Sequence, residues 1–341
     1  MLSELIAPAR RLALVGLAKN TGKTETLAAI LRELAEQSTC IGVTSIGRDG
    51  EEHDVIDARI EKPRIVLQAG SLVASTDALV RASGLAHEQL AQTGVRTPLG
   101  EVVIARLAEQ GSVEVAGPSA AEDLREVSDA MIGFGAEIVL IDGSIDRRAA
   151  SSPAVADGLV IATGAVLSED VEGVVAATKD AIDLVRLPAA GSPRVDGSTG
   201  GGEELLTLKR GLVLNAEPAE IAALLRERPS TSTFRVEGAL SERFLEGLLA
   251  ARAERAGREL RIIVGDPTKV FLSHRGPSWY QRQGLAIEIL HPITLKAITV
   301  NPVAPQSHRF DSQQLREQIE AAAPDVPVLD VLDESYLALA K

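Results

Sequence analysis

Hydrophobic positions along the chain alternate between two patterns: short unbroken apolar runs of strand length, and longer stretches in which apolar residues recur every three or four positions. The first run, Leu12-Ala-Leu-Val-Gly16, breaks into a glycine-containing loop, and a helical pattern follows over 23–37. A second apolar strand is expected at 40–46, and the helical connection between the two strands fits a right-handed crossover in a parallel sheet. The same reading places strands at 65–67, 101–106, 113–116, 138–141, 159–163 and 212–214, with helices at 76–82, 120–134 and 169–185. Strand and helix in alternation predict an α/β fold built on a doubly wound, mainly parallel sheet.

The stretch 189–202 (AAGSPRVDGSTGGG) is so rich in Gly, Ser and Pro that it predicts a flexible loop or linker, either a tolerated insertion or a cover over the site. A helix is expected at 218–226, and a further set of elements begins at 233–240. That set continues with a helix at 241–256, strands at 260–264 and 270–272, an extended segment at 286–300, a helix at 312–322 and a strand at 328–331. The pattern places a boundary near residue 228, separating a larger domain (1–228) from a smaller C-terminal α/β domain (229–341) with a possible partner-binding role.

Composition narrows the function classes. The 341 residues carry 35 Lys+Arg against 48 Asp+Glu, a net charge of −13, and 45% are hydrophobic, so the chain is globular and lacks the basic balance of a nucleic-acid binder. Aromatic residues make up only 2%, too few for base-stacking platforms, and the core must be built from Ala, Val, Leu and Ile. One cysteine, Cys40, cannot close an intramolecular disulfide, and no CxxC pair points to zinc or an iron–sulfur cluster. No apolar run reaches about 18 residues and no signal-peptide pattern opens the chain, so the expectation is a soluble cytoplasmic protein without a membrane partner.

Chemistry concentrates in Gly16-Leu-Ala-Lys19-Asn20-Thr21-Gly22-Lys23-Thr24, between the first strand and the first helix. Backbone N–H groups and a helix N-terminus converge there on phosphate oxygens, so Lys19, Asn20, Thr21, Gly22, Lys23 and Thr24 are candidate nucleotide-binding residues. Lys23 would reach the β- and γ-phosphates and the Thr24 hydroxyl would ligate Mg²⁺. Gly16 lies six residues before Gly22 instead of the usual five, which makes the loop a variant of GxxxxGK[ST]. Lysine is scarce: the chain has eight against 27 arginines, and two of the eight, Lys19 and Lys23, stand in this loop. Arginine is no substitute for the compact charge of a phosphate-loop lysine.

Asp142, ending the apolar strand Ile138-Val-Leu-Ile141, is the candidate Mg²⁺ carboxylate; capping the next turn is the alternative. Asp49, beyond the second strand, could be a second Mg²⁺ ligand or orient the attacking water, and equally a solvated turn residue beside Gly50. Arg48 reads as an exposed loop arginine or a γ-phosphate contact. Asn215 ends the run Gly211-Leu-Val-Leu and could pair with the N6/N7 edge of adenine or cap the next helix; with no NKxD box for guanine, ATP is expected before GTP. The five histidines are scattered and there is no GxSxG elbow, so nucleophilic catalysis has little support.

The run Lys19-Asn20-Thr21-Gly22-Lys23-Thr24 resembles the loop of the molybdopterin-guanine dinucleotide biosynthesis protein B group, in the P-loop class that includes dethiobiotin synthetase. That class carries an extra lysine, here Lys19; in MinD-type ATPases the lysine that reaches across a dimer stands one residue earlier relative to the GKT, so the resemblance implies a possible homodimer without assigning that role to Lys19. A longer resemblance runs through Thr44–Glu51, Thr97–Gly100, Val115–Pro118, Asp142–Arg147, Ala162–Ala165, Gly265–Lys269 and Val300–Pro305, and is to the P-loop subunit of the lysine aminomutase reactivase. It implies an ATP-dependent partner of a cobalamin-dependent aminomutase, or of a second reactivase subunit. The DxHxxG pattern that ligates cobalt is missing, so any cobalamin belongs to the partner. Asp146 and Arg147 could transmit nucleotide state or form an ion pair within their loop. Two other readings stay open: a small-molecule kinase or ligase, and a nucleotide-gated binding module in cofactor biosynthesis.

Overall fold

The computed structural model describes residues 2–47, 65–144, 151–191, 204–209, 213, 217–252, 259–305, 308–333 and 336. The chain runs through α1 (Leu2–Ile6), β1 (Arg11–Gly16), α2 (Lys23–Glu36), β2 (Ile41–Ser45), β3 (Val66–Leu67), β4 (Leu72–Thr76), α3 (Asp77–Ala82), β5 (His87–Thr97), β6 (Gly100–Leu107), β7 (Gly111–Ser112), α4 (Ala121–Gly133), β8 (Ile138–Ser144), β9 (Gly158–Gly164) and α5 (Val171–Val185). It continues through β10 (Glu204–Leu208), α6 (Pro218–Glu227), β11 (Thr231–Val236), β12 (Leu240–Ser241), α7 (Glu242–Arg252), β13 (Leu260–Val264), β14 (Val270–Phe271), α8 (Pro277–Arg282) and β15 (Leu285–Ile289). The last elements are β16 (Thr294–Asn301), α9 (Ser312–Ala322) and β17 (Val328–Leu329).

Nine strands form one sheet in the order β17-β16-β9-β1-β8-β2-β4-β6-β5. From β17 to β4 neighbouring strands are parallel, and the β5–β6 hairpin adds an antiparallel edge. The fold is therefore α/β with a large, mostly parallel sheet. Its inner strands read as continuous apolar runs because both faces are covered. Leu12 and Leu14 of β1, Ile41 and Val43 of β2, and Ile138 and Leu140 of β8 turn to one face and pack with Leu27, Ile30, Leu31 and Leu34 of α2. The alternate residues, among them Val139 and Ile141, face Leu124, Val127 and Met131 of α4. Each such side chain contributes about 1.5–3 kcal/mol when fully buried. Buried Glu33 of α2 accepts hydrogen bonds from the Ser3 N–H (2.8 Å) and the Tyr336 hydroxyl, fastening residues from both ends of the chain to this helix.

The segment 113–116, expected as a strand, joins no strand. Its hydrogen bonds go to hydroxyls at the ends of β2 and β4 instead: the Ala116 N–H donates to Ser75 Oγ (3.0 Å) and the Gly117 N–H to Ser45 Oγ (3.1 Å). This approach is so close that a Cβ on Gly117 would overlap the Ser45 carbonyl oxygen. Gly117→Ala is expected to destabilise the protein by about 1–3 kcal/mol, seen as a fall of about 5 °C in Tm. An unchanged melting curve would contradict that packing.

The chain divides into two units at places other than residue 228: residues 1–178 with 294–341 form one, and residues 179–293 form the other. The second unit is thus an insertion. The cause is β16, which pairs along its length with β9 (Ile298 opposite Ile161, Asn301 opposite Gly164) and returns the C-terminal residues to the nine-stranded sheet. Pairing between strands 130 residues apart leaves no local signature. The extended segment expected at 286–300 is two strands, β15 and β16, one in each unit. Of the loop expected at 189–202, Ala189 bridges to Ile289, and 192–202 lie outside the described residues, as does most of the strand expected at 212–214.

Within the second unit, among the described residues, four parallel strands follow chain order, β10-β11-β13-β15. Its core joins Phe234, Phe244, Leu248, Ile262, Tyr280 and Ile287. Beside that core Glu242, at the start of α7, is almost fully buried and accepts hydrogen bonds from the N–H groups of Ser273 (2.8 Å), His274 (3.1 Å) and Arg275 (3.1 Å), the His274 ring (3.0 Å) and the Tyr280 hydroxyl (3.0 Å). Burial raises its pKa, but the Ser273 N–H, both His274 donors and the Tyr280 hydroxyl outweigh it and bring it from 4.5 to about 2. Burial, and then the carboxylate it donates to, push the Tyr280 phenol well above its usual range.

Candidate functional site

The carboxyl ends of β1, β8, β9, β2 and β16 meet at one sheet edge, with Gly16 opposite Ser144 and Ala162, Ser45 opposite Asp142, and Asn301 opposite Gly164. Strand β1 lies between β8 and β9. The chain leaves β1 for β2 on one side, and leaves β8 for β9 on the other. Connections that diverge around one strand open a crevice at its carboxyl end. The loop Leu17–Gly22 occupies that position.

Loop geometry explains the unusual glycine spacing. Gly16 is the last residue of β1, and a Cβ there would sit 2.8 Å from Thr21 Oγ1. Thr21 is buried and its hydroxyl donates to the Ala18 carbonyl (3.0 Å), which curls the loop back over the strand end. The glycine needed for this curl is thus the residue at 16. The Leu17 N–H still donates to Ala162 of β9 (3.0 Å), so the loop starts one residue beyond the strand. Asn20 (φ 65°) and Gly22 (φ 84°) both adopt the left-handed conformation, the alternation that turns successive N–H groups into an anion-receiving concavity. Gly22 is also the N-cap of α2, with no side-chain cap over the first-turn N–H groups.

Lys23 and Asp142 meet at this strand end, Nζ to Oδ1 at 2.5 Å, with side chains 25% and 28% exposed. Strand parity brings them together: Asp142 follows Ile138 and Leu140 at period two, so it leaves β8 on the α2 face, where Lys23 begins the helix. Thr24, the second residue of α2, is partly buried, and Lys19 and Asn20 lie exposed on the loop. The structure therefore gathers Lys19, Asn20, Thr21, Gly22, Lys23, Thr24 and Asp142 at one strand end. Asp49 and Asn215 lie outside the described residues, together with Arg48, Asp146 and Arg147.

One residue of this edge was not singled out from the sequence. Asn301 ends β16, and its Nδ2 donates to the Asn20 carbonyl (3.0 Å). Its signal in the sequence is an amide closing an apolar run, as Asn215 closes Gly211-Leu-Val-Leu. Among the described residues, no group of three or more His, Cys, Asp or Glu side chains could hold a metal ion by itself. Asp142 is one carboxylate beside this loop, and Mg²⁺ is an ion that binds through one or two carboxylates and takes its remaining oxygens from other ligands and water. Among the described residues, no helix is long and apolar enough to cross a membrane. No family model, no curated protein and no solved structure matches the chain.

Proposed function

We propose that the chain is a Mg²⁺-dependent P-loop protein that binds ATP in preference to GTP and hydrolyses it to ADP and phosphate. The Lys23–Asp142 pair at the carboxyl end of β1 is the observation that carries this reading, because it sets a compact cation and a carboxylate side by side where a phosphate chain and its counter-ion need them. Lys23 moves its ammonium from the carboxylate to the β- and γ-phosphate oxygens, and the N–H groups of residues 20–24 donate to the same oxygens. Thr24 and Asp142 hold the ion, directly or through water. Bound Mg²⁺ neutralises phosphate charge and orients the terminal phosphoryl group. Asp49 is proposed to position the attacking water or add a ligand. With a net charge of −13, cations and N–H dipoles concentrated at this one edge are what attracts a tetra-anion.

The biological setting proposed is an ATP-driven reactivase or chaperone subunit for a cobalamin-dependent aminomutase, resting on the resemblance of the chain's motifs to that family. Calorimetric titration of the intact protein is expected to show Mg-ATP binding that EDTA abolishes. Inorganic tripolyphosphate competes and adenosine does not. Equal affinity for ATP and adenosine, or binding indifferent to Mg²⁺, would refute the phosphate-loop reading. Phosphate release that rises on adding the partner supports the reactivase setting, whereas turnover only with a small carboxylate or amine substrate supports a kinase or ligase.

A further inference from the structure

We propose that Asn301 is a positioning residue for the phosphate loop, so that β16, the strand re-entering the sheet after the 179–293 insertion, holds the loop in its anion-receiving curl; the functional consequence, though not the geometry, rests on the nucleotide reading above. Asn301 stands two strands from β1 in the order β16-β9-β1, yet its side chain reaches the loop. Two glycines make room for it. A Cβ on Gly164, its neighbour on β9, would overlap the Asn301 carbonyl oxygen, and a Cβ on Gly22 would lie 3.0 Å from the Asn301 Cβ.

Both ends of the Asn301 amide are committed. Nδ2 donates to the Asn20 carbonyl at 3.0 Å and Oδ1 accepts from the Val303 N–H at 3.1 Å. Reversing the amide would set donor against donor and acceptor against acceptor, so the partners themselves define its orientation. Asn20 holds a left-handed backbone at φ 65°, a conformation that asparagine adopts more readily than other non-glycine residues, and the bond from Asn301 falls on the carbonyl of that turn. A trans peptide points its C=O and N–H in opposite directions, so drawing the Asn20 carbonyl toward β16 turns the Thr21 N–H away from β16. Thr299, two residues earlier and hence on the same face of β16, secures the other end of the loop: its hydroxyl lies 2.6 Å from Thr26 Oγ1, which donates to the Gly22 carbonyl at 3.0 Å. One strand thereby grips the loop at Asn20 and at Gly22.

The experiment compares the native chain with Asn301→Ala and Asn301→Asp, the second being isosteric, able to accept from Val303 and unable to donate to Asn20. Amide hydrogen exchange without nucleotide is expected to quicken about tenfold or more over residues 17–24 in both variants while β9 stays protected. Mg-ATP and tripolyphosphate are expected to lose affinity by the same factor, about tenfold. Unchanged exchange over 17–24 in both variants overturns the proposal. A loss of ATP affinity with tripolyphosphate unaffected also overturns it, because that pattern belongs to a base contact. Faster loop exchange in a chain whose native form binds no Mg-ATP upholds the brace and refutes the nucleotide reading alone.

Discussion

Lys23→Ala is expected to weaken Mg-ATP binding at least a hundredfold, about 3 kcal/mol, while leaving the fold intact. The size follows from replacing the proposed charge-assisted contact to phosphate by a methyl group, which makes none. The intact fold follows from exposure: the Lys23 and Asp142 side chains are about a quarter exposed, and an ion pair partly open to water contributes about 0–1 kcal/mol. Lys23→Arg is expected to recover only part of the affinity, since a planar guanidinium on a different stem does not reproduce a compact ammonium at the same point. Calorimetry with Mg-ATP, beside a melting curve for each variant, checks this. A Lys23→Ala protein that binds Mg-ATP as tightly as the native chain would refute the proposed function.

Glu242→Gln is expected to produce the largest loss of stability, about 2–4 kcal/mol at neutral pH, confined to the inserted unit. The amide keeps one acceptor oxygen and places an NH₂ group against donors that the carboxylate now satisfies: the N–H groups of residues 273–275, the His274 ring and the Tyr280 hydroxyl. Because the folded pKa is depressed to about 2 from 4.5, Glu242 stabilises the fold fully above about pH 5, and this contribution is lost as pH falls from 4.5 toward 2. The difference between native and variant therefore narrows over that interval. Trp279, the only tryptophan in the chain, packs edge-on against Tyr280 at 5.0 Å, so its fluorescence during urea unfolding reports on this region directly. Equal midpoints at neutral pH would show that the carboxylate's hydrogen bonds contribute no net stability.

Much of the nine-stranded sheet was legible because a strand covered on both faces is a continuous apolar run, and β1, β2, β8 and β9 are all of that kind. The elements not foreseen are those whose character comes from elsewhere. β4 is short, and its run Leu72–Thr76 ends in hydroxyl residues. β5 is an edge strand whose exposed positions carry polar residues, and its apolar residues are too few to announce it. The segment 113–116 has the composition of a strand, but its polar backbone groups are taken by Ser45 and Ser75. The difference was one of partners, which no window of sequence contains.

At the site, the local pattern was enough to mark the loop, its two lysines and the helix it opens, because they form one run of consecutive residues between a strand and a helix. It also marked Asp142 as a strand-ending carboxylate. Packing decided which of these groups meet. β8 lies directly beside β1 and period-two geometry sends Asp142 to the α2 face, so the carboxylate and Lys23 touch. The return of the chain after the insertion, the division at 178 and 293, and the grip of Asn301 on the loop likewise depend on β16 pairing with β9. Residue order governs what each segment can form. Which segments become neighbours is set by burying both faces of one sheet, and that choice is made by the whole chain at once.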